Sequence, residues 1–301
     1  MINKIDFKAK NLTSNAGLFI LLENTRNNKI FDLIETNLSF DNDSTNRIKM
    51  NHIKTMICGN FIGIDKLERL KLLQSDPLVK EFGISVKEPE TVSRFLGNFT
   101  FKTTQMLRQI NFKVFKKILA KSGITSITID IDSSVINVEG HQEGAVKGYN
   151  PKKHGNRCYN IQFAFCDELK AYITGFASEM IKEIVSSIKT DNLDILFRMD
   201  SGYFDEEIIN AIESLGCKYI IKAKVYETLY SKVTDESVIF TQGEDGRETT
   251  SFSGKLDSWE QDRRFVVSRV LKPEKERIQM SLSQGQEYDY FFFVTNTALP
   301  S

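Results

Sequence analysis

The sequence predicts a mixed α/β fold laid out in three stretches. Three observations carry this. Up to residue 123, apolar residues recur at three-and-four spacing. From 124 the period changes to alternating runs rich in Ile, Val and Thr, with two helical segments between them. Beyond 225, short alternating runs are separated by Gly-containing turns. The expected divisions are therefore 1–123, 124–225 and 226–301.

In the first stretch, "GLFILLENTRNNKIFDLIET" and "NRIKMNHIKTMICGNFIG" have helical periodicity. "IDKLERLKLLQSDPLVKEFG" reads as two short helices broken at Asp76-Pro77. "ETVSRFLGNF" and "TTQMLRQINFKVFKKILAKSG" follow, the last bounded by threonine caps and Gly123. In the second, "ITSITIDIDSSVINV" is one long strand or a strand pair, and "CYNIQFAFCDELKAYITGFAS" is a hairpin turning at "DELK". "MIKEIVSSIKT" is an amphipathic helix, "DILFRMD" a short buried strand, "FDEEIINAIESLG" a helix and "CKYIIKAKV" a strand. The order is β-β-β-α-β-α-β, a mixed α/β core. In the third, "GEDG" marks a hairpin turn and "YFFFVTN" a buried strand.

The bulk numbers set bounds. With 301 residues, 41% hydrophobic and 27% charged, the chain can bury a sizeable core. No apolar run approaches the roughly 18 residues of a membrane span, and "AGLFILL" lacks the flanks of a signal peptide. Cys58, Cys158, Cys166 and Cys217 form no CxxC pair, which fits a reducing cytoplasm. The net charge is zero, yet residues 1–120 hold 19 Lys and Arg against 12 Asp and Glu. That excess makes the helical stretch a candidate surface for a polyanion such as DNA, and leaves the acidic chemistry to the remainder.

Two acid sites stand out. In "SITIDIDSS", Asp130 and Asp132 share one strand face with Ser126 and Thr128. In "LFRMDSGYFDEE", Asp200 ends a later strand. Ligands gather at the carboxyl ends of strands in open α/β sheets, and acids at two such ends can converge on a hard divalent cation. An aspartate at a strand end also serves as a turn former or helix cap. For the helix after Asp200, Asp205 is the better cap, because Glu206 and Glu207 fall in its first turn. Asp132 precedes extended sequence and caps nothing.

"DIDSSVINVEGHQEGAVKGYNPKKHG" followed by "RMDSGYFDEE" resembles the DDE group 1 transposases of bacterial insertion sequences. Their pattern is D-x-D-[ST], then G-H-Q-E-G-x-x-K-G-Y-N-P, then R-x-D-S-G-[FY], and every element is here in order over about 75 residues. The resemblance implies an RNase H-like core preceded by a helical arm and followed by a β-rich insertion domain. It implies Asp132 as first catalytic acid, with Asp130 as the fallback, and Asp200 as second. Together they would hold Mg²⁺ or Mn²⁺ for metal-dependent cleavage and strand transfer on double-stranded DNA, by a homodimer. The family's third acid is a glutamate in a Tyr-x-x-Arg-x-x-x-Glu helix, and no such segment occurs here. The expectation is an incomplete chain, inactive in strand transfer. A metal-dependent nuclease of the same fold and a non-catalytic DNA-binding remnant are the alternatives.

The intervening "GHQEGAVKGYNPKKHG" is glycine-rich and basic. Lys147, Lys152, Lys153 and Arg157, with Tyr149 among them, suit contact with a phosphate backbone. His141 and His154 are expected to contact phosphate rather than metal, because this chemistry uses carboxylates. His52 is expected to pack or face solvent, and Trp259 to belong to the core.

Overall fold

The computed structural model describes residues 12–40, 46–140, 142–147, 155–175, 179–235, 237–243, 246–273 and 288–298. The chain forms two units, 1–114 and 115–301.

The first unit is helical, as its periodicity predicts. α1 (Leu18–Asn27) and α2 (Ile30–Asn37) are separate helices, because Lys29 between them adopts a left-handed backbone at φ 53°. α3 (Asn46–Phe61) precedes a 3-10 turn (Leu67–Leu73), α4 (Pro77–Glu81) and α5 (Pro89–Leu96). The break at Asp76-Pro77 is built as the sequence requires. Asp76 accepts from Leu78 N and caps α4, and Pro77 occupies the first turn, where its missing N–H costs nothing. α6 (Phe101–Ser122) opens with Thr100 and Thr103 exchanging backbone-to-hydroxyl bonds, and Gly123 follows it at φ 67°. Two apolar clusters hold the unit. Leu18 and Leu22 pack with Cys58, Leu73 and Val92, while Ile34 and Leu38 pack with Met50, Phe95 and Ile110. His52 is buried against the Phe95 ring, with centroids 5.1 Å apart.

In the second unit the long run is a single strand, β1 (Ser126–Asn137). β2 (Val146–Lys147), β3 (Arg157–Cys166) and β4 (Ala171–Gly175) follow, then α7 (Met180–Ile188) and β5 (Asp194–Met199). Next come a 3-10 turn (Ser201–Tyr203), α8 (Glu206–Ser214), β6 (Lys218–Lys222) and α9 (Glu227–Tyr230). β7 (Thr241–Gln242), β8 (Glu248–Gly254), β9 (Arg263–Leu271) and β10 (Tyr288–Thr295) complete it.

All these strands join one sheet in the order β2-β3-β1-β5-β6-β10-β9-β8-β7, with β4 paired to β3. β3 is antiparallel to both β1 and β4, whereas β5 is parallel to both β1 and β6. Helices follow β4 and β5. This is the RNase H-like arrangement that the motif resemblance implies. The β-rich stretch continues the same sheet through β10, which lies antiparallel beside β6.

The pleat explains the core. Ile127, Ile129 and Ile131 pair in register with Ile195, Phe197 and Met199, and all six are buried. Tyr219 and Ile221 extend that layer onto β6. Beyond it, Trp259 is buried against Phe204 and Phe265, as expected of a core residue. Arg263 beneath it ties α8 to β9 through Glu206, Asn210 and Glu213.

Candidate active site

The alternation that buries the isoleucines of β1 turns Thr128, Asp130 and Asp132 to the opposite face. The parallel register sets Asp130 across from Arg198. Arg198 grips the Asp130 carboxylate with two bonds, 2.6 Å from Nε and 2.7 Å from Nη2, and reaches Asp167 at 3.3 Å. Asp130 beside it, with Asp167, holds the guanidinium above its ordinary pKa. Asp167 is held below the usual carboxylate range, first by Lys170 and then by Arg198.

The other two acid positions lie just past the end of the β1–β5 pairing. Pairing between β1 and β5 ends at Ile131 and Met199, one residue before Asp132 and Asp200. Asp200 keeps an extended backbone, φ −79° and ψ −179°. Beyond Ile131, β1 runs on against β3 alone, which leaves a notch where β5 departs.

Each carboxylate is half engaged. Asp132 Oδ1 accepts from Ser133 N at 2.7 Å, and Asp200 Oδ1 accepts from Gly202 N at 2.9 Å. The second oxygen of each has no hydrogen-bond partner among the described residues. Asp200 thus caps its 3-10 turn while keeping one oxygen available. Gly202 permits this, since a Cβ there would stand 3.0 Å from Asp200 Oδ1. The cap of α8 is Asp205, whose Oδ1 accepts from Glu207 N and Ile208 N.

A cleft of about 830 Å³ opens beside Asp200. Ser133 from β1, Asn160 and Gln162 from β3, Glu179 and Lys182 near the start of α7, Tyr203, and Lys224 after β6 line it. Tyr203 is buried, and its hydroxyl has no partner among the described residues. Burial, and after it the charges of Asp200 and Asp132, push its phenol up to about 12.

Of the basic loop, Lys147 pairs across β2 and β3 with Arg157, whose Nη1 donates to Ala145 O at 3.3 Å. Tyr159 donates to Glu143 O and closes the loop's base. His141, Tyr149, Lys152, Lys153 and His154 lie outside the described residues. Sequence reasoning missed Lys182, Lys224, Asn160 and Gln162, because their arrival at the cleft depends on strand register and helix placement. Tyr203 was inside the quoted motif, yet only its burial and bare hydroxyl single it out.

Residues 3–296 match the family of the transposase DDE domain, group 1. The chain belongs to that family. No curated protein matches the chain. Among solved structures, piggyBac transposase in a synaptic complex with hairpin DNA is similar at 9% identity and a TM-score of 0.42. That match covers 95% of this chain and 52% of the other, so the chain spans about half the length of that relative. The D-x-D-[ST] and R-x-D-S-G-[FY] motifs of this DDE-domain chain are the two segments that meet at the notch.

Proposed function

We propose that the chain acts in DNA transposition, in metal-dependent cleavage and strand transfer at the ends of a bacterial insertion sequence. What supports this reading is the parallel pairing of β1 and β5 up to Ile131 and Met199, the residues just before Asp132 and Asp200, with one oxygen of each carboxylate uncommitted among the described residues. Two hard oxygen donors at a strand-end notch fit Mg²⁺ or Mn²⁺. Bound there, such ions activate the attacking water or 3′-hydroxyl and stabilise the leaving oxygen. In this reading Asp132 and Asp200 hold the metal. Asp130, gripped by Arg198, fixes the strand beside them rather than serving as a ligand. Lys147, Lys152, Lys153 and Arg157 contact the DNA backbone together with His141, His154 and Tyr149. The active species is a homodimer on double-stranded DNA, working in the cytoplasm.

Among the described residues no group of three or more His, Cys, Asp or Glu side chains gathers to hold a metal. We therefore propose that these 301 residues alone bind DNA without completing strand transfer. Incubating the chain with supercoiled plasmid and Mg²⁺ or Mn²⁺ tests this. The expected result is retained binding and no strand transfer. Robust turnover abolished by Asp200→Ala would overturn the claim of inactivity while upholding the metal site; DNA binding indifferent to salt would remove the DNA reading itself.

A further inference from the structure

We propose that α6 reads DNA sequence in the major groove, with Gln105 and Gln109 contacting base edges and Lys102 and Lys113 contacting the phosphates beside them. The inference rests on the DNA reading above. It names specificity-determining residues in the helical unit, apart from the acids and the basic loop.

The charge of α6 is one-sided. Its 22 residues include six Lys or Arg and no Asp or Glu. Solvated helix faces commonly set acids against bases at i and i+4, and this helix has no acid to do so. Lys102, Gln105, Gln109 and Lys113 stand at spacings of three and four residues, so they share one face. Lys102, Gln109 and Lys113 are exposed and Gln105 is half-buried. With Asn37 of α2 and Phe101 they line an open groove of about 540 Å³, and no acid lines it.

The polar groups on that face are largely unspent. The side chains of Lys102 and Gln109 have no hydrogen-bond or ion-pair partner among the described residues. Gln105 Oε1 accepts from Arg108 Nη1 at 3.2 Å, which leaves the amide N–H groups to donate. Lys113 donates to Asn37 Oδ1, a neutral partner that leaves its charge uncompensated. A glutamine amide offers donor and acceptor together, and in the major groove it pairs with N6 and N7 of adenine. An ionised carboxylate only accepts, so an acidic protein matches the lysines but not the amides. Lys102 and Lys113 lie about 16 Å apart along the axis, at about 1.5 Å per residue. That separation spans a groove about 12 Å wide and brings both ammonium groups to its phosphate walls. Phe101, 81% exposed at the start of the helix, is available for apolar contact with a thymine methyl.

The experiment is metal-free selection by the whole chain from a pool of duplexes about 30 base pairs long with a randomised centre. The enriched duplex is then titrated across salt concentrations. The wild type is expected to enrich a motif containing A·T pairs. Gln105→Ala and Gln109→Ala should each lose preference at one base pair, weakening binding to the enriched duplex about five- to hundred-fold with the salt slope unchanged. Lys102→Gln and Lys113→Gln should each lower the slope of log K against log salt by about 0.9, on enriched and scrambled duplexes alike. All four positions lie on the surface, so melting temperatures should match the wild type. Arg69→Gln, paired with Asp65 and outside the groove lining, is the control and should leave the motif unchanged. If the wild type binds duplex but enriches no motif, or both glutamine variants enrich the same motif with equal affinity, the reading of sequence by α6 is wrong and the DNA reading stands. If the wild type binds no duplex at any salt, both fall.

Discussion

At the scale of single residues, the two aspartates of "DID" differ in what holds them. Asp130 is committed to Arg198 by two bonds, whereas Asp132 spends one oxygen on its neighbour's backbone and keeps the other. Sequence alone left the two open, since they share a strand face. Only the register, which sets Arg198 against Asp130, separates them. Asp132→Asn and Asp200→Asn are each expected to weaken Mn²⁺ binding at least about ten-fold by calorimetry, the loss expected when one of two carboxylate ligands is neutralised. Asp130→Asn should leave the affinity near wild type and cost up to about 1 kcal/mol of stability, the range of a partly exposed ion pair. Equal losses at Asp130 and Asp132 would erase the distinction. His52 carries a second residue-scale prediction. Burial, then the charge of Lys87, lowers its pKa. The unfolded chain therefore binds the proton more readily, so stability from this residue is full above the ordinary histidine pKa of about 6.5 and declines as pH falls below it. Comparing melting curves at pH 8 and pH 5.5, His52→Phe should show a smaller drop than the wild type; an identical drop would acquit His52.

At the scale of elements, the helices and strands were legible because their causes are local. Proline and a capping aspartate start α4, threonines start α6, and Asp205 starts α8. Asp205→Ala should cost about 1 kcal/mol by chemical denaturation, the usual loss of an N-cap. Asp76 does more than cap. Burial opposes its ionisation, but hydrogen bonds from Asn15, Thr13 and Leu78 outweigh this and hold the carboxyl below its ordinary pKa. Its contribution is present above the unfolded value of about 3.9 and is lost as pH falls through the lowered one. Asp76→Ala should therefore destabilise the helical unit by about 1–2 kcal/mol at pH 7 and by little at pH 2. A constant difference across that range would contradict the assignment. The elements that sequence did not reveal, β2 and α9, are too short for periodicity to register.

At the scale of the whole molecule, legibility falls with the sequence distance between partners. The motif order identified the family. Nothing local foretold that β10 would pair with β6, because 65 residues separate Lys222 from Tyr288 and pairing is decided by a non-local register. Nor did residue types announce the cleft, whose walls come from β1, β3, α7, the 3-10 turn, α8 and the segment after β6. That long-range pairing has a consequence for how the protein is made. Until residues 288–295 have left the ribosome, β6 presents a bare hydrogen-bonding edge beside the strands that carry the aspartates. A growing chain thus passes through a period in which its acid-bearing half is largely built but flanked by an open edge able to recruit other strands. Pairing of strands so far apart in the chain also predicts slow folding, which stopped-flow refolding of the chain would measure.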